Sequence, residues 1–127
     1  MLKFPTIQIY KLGEKTLQFM DSEAVLKQLG YTPNEALMEQ IGRIEANTNG
    51  YDKIQKHILE LHEQLKVDDS FVALSNSRDC FKIKIEAPSE GRKAEAMERV
   101  NHFTDKYKIA LEQVPGKETF YILGYEK

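Results

Sequence analysis

Apolar positions along this chain recur at two spacings, roughly every second residue and roughly every 3.6, and the switches between them divide it into elements. Thr6–Leu12 and Lys15–Met20 flank Gly13-Glu14, a pair suited to a type II′ turn, and predict an opening β-hairpin with Pro5 just ahead of its first strand. Asp21 or Ser22 can cap a short helix carrying Val25, Leu26 and Leu29, which Gly30 then ends. Thr32-Pro33-Asn34-Glu35 reads as a capping box, with Thr32 as N-cap and Pro33 in the first turn. Leu37, Ile41 and Ile44 stripe a second helix, Asn47-Thr48-Asn49-Gly50 breaks it, and Ile54, Ile58, Leu61 and Leu65 stripe a third. Helices two and three are expected to pair as an antiparallel αα-hairpin.

Beyond Val67-Asp68-Asp69-Ser70 the alternation returns. Phe71–Ser75 and Cys80–Ala87 predict a second hairpin with Asn76-Ser77-Arg78-Asp79 as its loop. Phe81, Ile83 and Ile85 fall on one face of its second strand, and Cys80, Lys82, Lys84 and Glu86 on the other. A helix from about Glu90 to Tyr107 turns Ala96, Val100, Phe103 and Tyr107 to one side and is expected on the Phe81 face. Ile109–Val114 and Glu118–Tyr125 then form a third hairpin around Pro115-Gly116, the central pair of a type II turn. The predicted order is ββ-ααα-ββ-α-ββ. With no strict βαβ alternation, the class is α+β: an antiparallel sheet built from three hairpins, with about four helices, in a single domain spanning 1–127.

A length of 127 residues suits one core, and 41% hydrophobic with 30% charged residues is an ordinary globular composition. The longest apolar runs, such as Phe120-Tyr121-Ile122-Leu123, fall far short of the ~20 residues that span a bilayer. The N-terminus carries no basic start followed by an apolar stretch, so no secretory signal is read and a cytoplasmic location is expected. Cys80 is the only cysteine, so an intrachain disulfide and a cysteine-based metal site are both ruled out. The formal net charge of −2 is spread evenly, with neither a polycationic half nor an acidic tail.

Phosphate-cradling glycine loops, nucleophile elbows and zinc-helix motifs are all missing, and no cofactor is implied. His57 and His62 lie five residues apart, about 140° around a helix, so one metal ion is not expected to join them. Cys80 could act as a nucleophile beside His102, but on alternation it faces away from the last helix. Asp68-Asp69 could serve acid–base or magnesium chemistry, although adjacent carboxylates after a helix more often form a solvated turn.

Binding candidates are better signalled than catalytic ones. Arg78, Lys82 and Lys84 in the middle hairpin and Tyr121 and Tyr125 in the last strand combine cations with aromatic platforms, a pairing that can hold single-stranded nucleic acid. Alternation puts Tyr121, Leu123 and Tyr125 on one side of the last strand, opposite Phe120 and Ile122, so both sheet faces call for cover. That cover could be the αα-hairpin, a second copy of the chain, or a ligand such as RNA. The leading expectation is a non-catalytic cytosolic module that engages a protein partner, including itself, through a sheet face or the helix carrying Ile54, Ile58 and Leu61. A nucleic-acid-binding regulator using Lys82, Lys84, Tyr121 and Tyr125 competes with it, weakened by the slight net acidity. A small enzyme with a noncontiguous site, assembled from Cys80, His102 or the Arg78-Asp79 loop, is the third class.

Overall fold

A computed structural model describes residues 20–126. It contains helices α1 (Ser22–Gln28), α2 (Glu35–Asn47), α3 (Tyr51–Leu65) and α4 (Glu90–Tyr107), a 3₁₀ turn at Lys66–Asp68, and strands β1 (Phe71–Leu74), β2 (Phe81–Lys84), β3 (Ile109–Gln113) and β4 (Thr119–Tyr125). All strand pairings are antiparallel, in the order β1-β2-β4-β3. The α+β class stands, and the second and third expected hairpins are both present. The hairpin expected over Thr6–Met20 lies outside the described residues except for Met20. The Met20 N–H donates to Gln55 Oε1 and its carbonyl accepts from Gln55 Nε2, both at 2.8 Å.

Most boundaries follow local chemistry. The Asp21 side chain caps α1 through the Ala24 N–H, and Gly30 beyond its end has φ +98. Ser89 caps α4 through the Arg92 N–H. In the last hairpin the Lys117 N–H bonds the Val114 carbonyl at 3.1 Å, and Gly116 takes φ +74 as a type II turn requires.

Two expectations are corrected. The N-cap of α2 is Asn34, whose side chain accepts from the Leu37 N–H while its own backbone stays extended. Thr32 and Pro33 therefore precede the helix. Asparagine caps as well as threonine, and a cap at residue 34 leaves Pro33 outside the helical turn. The nearest helical neighbour of α2 is α1, not α3, which packs instead on α4, β1 and β4. The reason lies in the α2–α3 connection: Asn49 forms a parallel bridge with Gly124 of β4, tying the linker to the sheet end.

The core lies between the sheet and the helices. Val72, Leu74, Phe81, Ile83 and Ile122 from one sheet face meet Ile54, Ile58, Leu61, Leu65, Ala96, Val100 and Phe103 from α3 and α4, and Leu26, Ile41 and Ile44 join from α1 and α2. Asp68, only 1% exposed, ties α4 to the turn before β1. Its carboxylate lies 3.6 Å from Arg92 Nε and 3.4 Å from Arg99 Nε. The solvated turn expected at Asp68-Asp69 is thus a buried ionic anchor at its first residue, because α4 brings two arginines to it.

The two sheet edges differ. Along the outer edge of β1 the Val72 N–H donates to His62 Nδ1 at 3.1 Å and the Leu74 N–H to the Tyr31 hydroxyl at 3.0 Å, so side chains occupy the donors an added strand would need. His62 must accept at Nδ1 and carries its proton on Nε2. Burial pushes this imidazole below its ordinary pKa. The unfolded chain therefore binds the proton more tightly, and His62 contributes stability that is held above pH ~6.5 and lost as pH falls through the lowered folded value. Between pH 7.5 and 5.5 the wild type should lose stability relative to His62→Asn, by up to about 1.4 kcal/mol per pH unit, because asparagine keeps an acceptor and does not titrate. Urea midpoints at the two pH values measure the difference, and parallel pH profiles for the two proteins would remove His62 as the cause.

Candidate functional site

Strand register decides which candidates meet. Ala73 pairs with Lys82, Lys82 with Tyr121, and Tyr121 with Glu112, so these residues form one row across all four strands. Cross-strand partners share a face, and this row lies on the face turned away from the core. Phe71, Lys84 and Thr119 form the next row on the same face. Lys82, Lys84 and Tyr121 are therefore neighbours, as alternation allowed but could not establish.

Arg78 joins them from the β1–β2 loop. Its guanidinium lies 4.7 Å from the Tyr121 ring centroid and donates to Glu112 Oε1 at 3.1 Å. The Tyr121 hydroxyl and Ser77 Oγ share a hydrogen bond of 2.9 Å, and Ser75 Oγ in turn accepts from the Ser77 and Arg78 backbone N–H groups. The loop thus folds over the sheet and clasps Tyr121 between a serine and an arginine. Lys84 pairs with Glu86 at 3.4 Å. Ser77 and Glu112 were not among the sequence candidates. Strand alternation places Glu112 on a face, but only the β3–β4 register puts it beside Tyr121.

Tyr125 does not belong to this face. The β3–β4 register shifts between Ala110 and Leu111: Ala110 pairs with Gly124, but Leu111 pairs with Ile122. Leu123 is the extra residue of the resulting β-bulge and is left 37% exposed. The bulge breaks the alternation, so Tyr125 lies opposite the buried Ile109 and packs against the core, with Lys53 Nζ 5.9 Å from its ring centroid. Ile54, Ile58 and Leu61 are each 1% exposed and cannot serve as a docking surface in this fold. The expected helix-face site is corrected for a simple reason. The sheet and the neighbouring helices together cover α3 over far more than one stripe, burying even Gln55 and His62.

The catalytic candidates separate. Cys80 is buried, and burial pushes its thiol pKa up, away from the nucleophilic thiolate. His102 is exposed on α4, on the helical side of the sheet. His57 stacks on Tyr107 with ring centroids 3.5 Å apart, while His62 points into the β1 edge. Among the described residues no group of three or more His, Cys, Asp or Glu could hold a metal ion. A cleft of about 130 Å³ between α3 and α4, lined by His57, Glu60, Arg99 and His102, is smaller than the roughly 300–1,000 Å³ of typical small-molecule sites. Among the described residues no helix is long and apolar enough to cross a membrane. No protein-family model matches the chain, and neither a curated protein nor a solved structure is significantly similar to it, so the sheet face turned away from the core has to be read from its own chemistry.

Proposed function

We propose that this chain is a non-catalytic, cytoplasmic protein-interaction module whose working surface is the face of the sheet turned away from the core. The observation that carries the proposal is the Ala73–Lys82–Tyr121–Glu112 row with Arg78 laid over it. Tyrosine and arginine are, with tryptophan, the residues enriched at protein–protein hot spots, and here both are held in place before any partner arrives. Pre-ordering lowers the entropy lost on binding. The charges on the face are of both signs, which suits a protein surface of mixed charge better than a phosphate backbone.

The grouping of Lys82, Lys84 and Tyr121 on one face favours a second reading, single-stranded nucleic acid. Against it, Arg78 and Lys84 already face carboxylates, and the Arg78 guanidinium lies over the Tyr121 ring on which a base would stack. A phosphate would have to compete with Glu112 and Glu86.

Two measurements on the full chain separate the readings. Affinity capture from nuclease-treated lysate should recover a protein that Lys82→Glu and Tyr121→Ala both lose, with each variant melting within a few degrees of wild type. A labelled single-stranded oligonucleotide should show no saturable polarisation change. Oligonucleotide binding that weakens steeply with salt would transfer the face to nucleic acid, since phosphate contacts release counterions.

A further inference from the structure

We infer that β3 is the seat of a two-fold dimer in which the outer edge of β3 pairs antiparallel with the same edge of a second copy. The side chains of His62 and Tyr31 occupy the outer donors of β1, whereas among the described residues nothing pairs with the outer edge of β3. The direction of its peptide groups is known. Val114 N–H donates to the Thr119 carbonyl and Glu126 N–H to the Lys108 carbonyl, so even-numbered residues of this segment face β4. Ile109, Leu111 and Gln113 therefore turn their N–H and C=O groups outward.

With one edge closed, a β1-to-β3 contact, which would propagate without end, is blocked. A β3-to-β3 contact closes on itself.

Charge and apolar complementarity select the register. With Ala110 on the two-fold axis, Ile109 pairs with Leu111 of the second copy using outward peptide groups on both sides, and Lys108, the exposed left-handed residue just before β3, comes at the end of the ladder, beside the second copy's Glu112. Arg78 occupies Glu112 Oε1, which leaves the other carboxylate oxygen for that lysine. The same pairing would cover the shallow groove beside β3, where Met97, Val100, Leu111 and Phe120 line the space between the strand and α4. Glu112 belongs to both the β3 edge and the sheet face, so the two readings are separated with Lys108→Glu, which lies outside the Ala73–Lys82–Tyr121–Glu112 row: its loss of self-association should leave capture by the face intact.

Sedimentation equilibrium of the full chain tests the dimer, and two sets of variants test its register. Lys108→Glu and Glu112→Lys should each weaken self-association at least about tenfold, since each places like charges beside one another twice. Their equimolar mixture should dimerise as wild type does, because both pairs are then opposite in sign. Ala110→Cys should cross-link under mild oxidation. Residues facing each other in a pair without hydrogen bonds have Cα atoms about 4.5 Å apart, within disulfide reach. The buried native Cys80 should leave the wild type uncross-linked. A monomer at all concentrations, or a dimer indifferent to the charge exchange and to Ala110→Cys, would overturn the inference.

Discussion

Ile58→Asp is expected to leave the chain unfolded at room temperature. Ile58 is 1% exposed and belongs to a core drawn from α1 to α4 and the sheet. An aspartate there must either bury an unpaired charge or take up a proton in an apolar site, and the lost packing adds to either cost. The sum is about 5 kcal/mol or more, comparable with the entire stability of a typical domain of roughly 5–15 kcal/mol. Ile58→Val removes one methylene and should cost only about 1 kcal/mol. Far-UV circular dichroism and urea titration would measure both. A folded Ile58→Asp protein with an unshifted midpoint would return α3 to the list of exposed binding surfaces and refute the core described above.

Gly124→Ala carries the second large effect. Gly124 has φ +134, and a Cβ there would stand 2.5 Å from Asn49 N and 2.6 Å from Asn49 O. These are backbone atoms of the bridge that ties the α2–α3 linker to β4, where Tyr125 N–H donates to the Asn49 carbonyl at 2.7 Å. Alanine therefore strains the backbone by about 1–3 kcal/mol and pushes the linker off its hydrogen bonds at about 1 kcal/mol each. A total of about 3–5 kcal/mol should lower the melting temperature by roughly 10–20 °C. Gly116→Ala is the comparison: it also has positive φ, but a Cβ would meet nothing within 4 Å. It should cost about 1 kcal/mol. Equal melting temperatures for the two variants would mean that the Asn49–Gly124 bridge contributes nothing to stability.

The candidate face was half legible from the sequence. Alternation in Phe81–Lys84 put Lys82 and Lys84 together, since successive strand residues must point to opposite faces. The same rule misplaced Tyr125. A bulge inserts one residue without changing composition or hydrophobic pattern, and Gly124 was the only local hint of irregularity. The helix stripe failed in another way. Ile54, Ile58 and Leu61 looked the same whether they pack on their own chain or on a partner, because burial depends on what lies opposite and not on the stripe itself.

What the sequence by itself determined is local: the helix cap at Asp21, the helix end at Gly30, the turn at Gly116, the alternation of β2, and hence the α+β class. Each depends on residues within a few positions of one another, where backbone sterics and side-chain hydrogen bonds act without knowledge of the fold. The strand order, the bulge, the His62 and Tyr31 caps on β1, the Asp68 anchor and the Arg78 clasp over Tyr121 were decided only by tertiary structure. Their partners lie 10 to 43 residues apart, and such contacts are chosen by how the whole core packs, which no local pattern encodes.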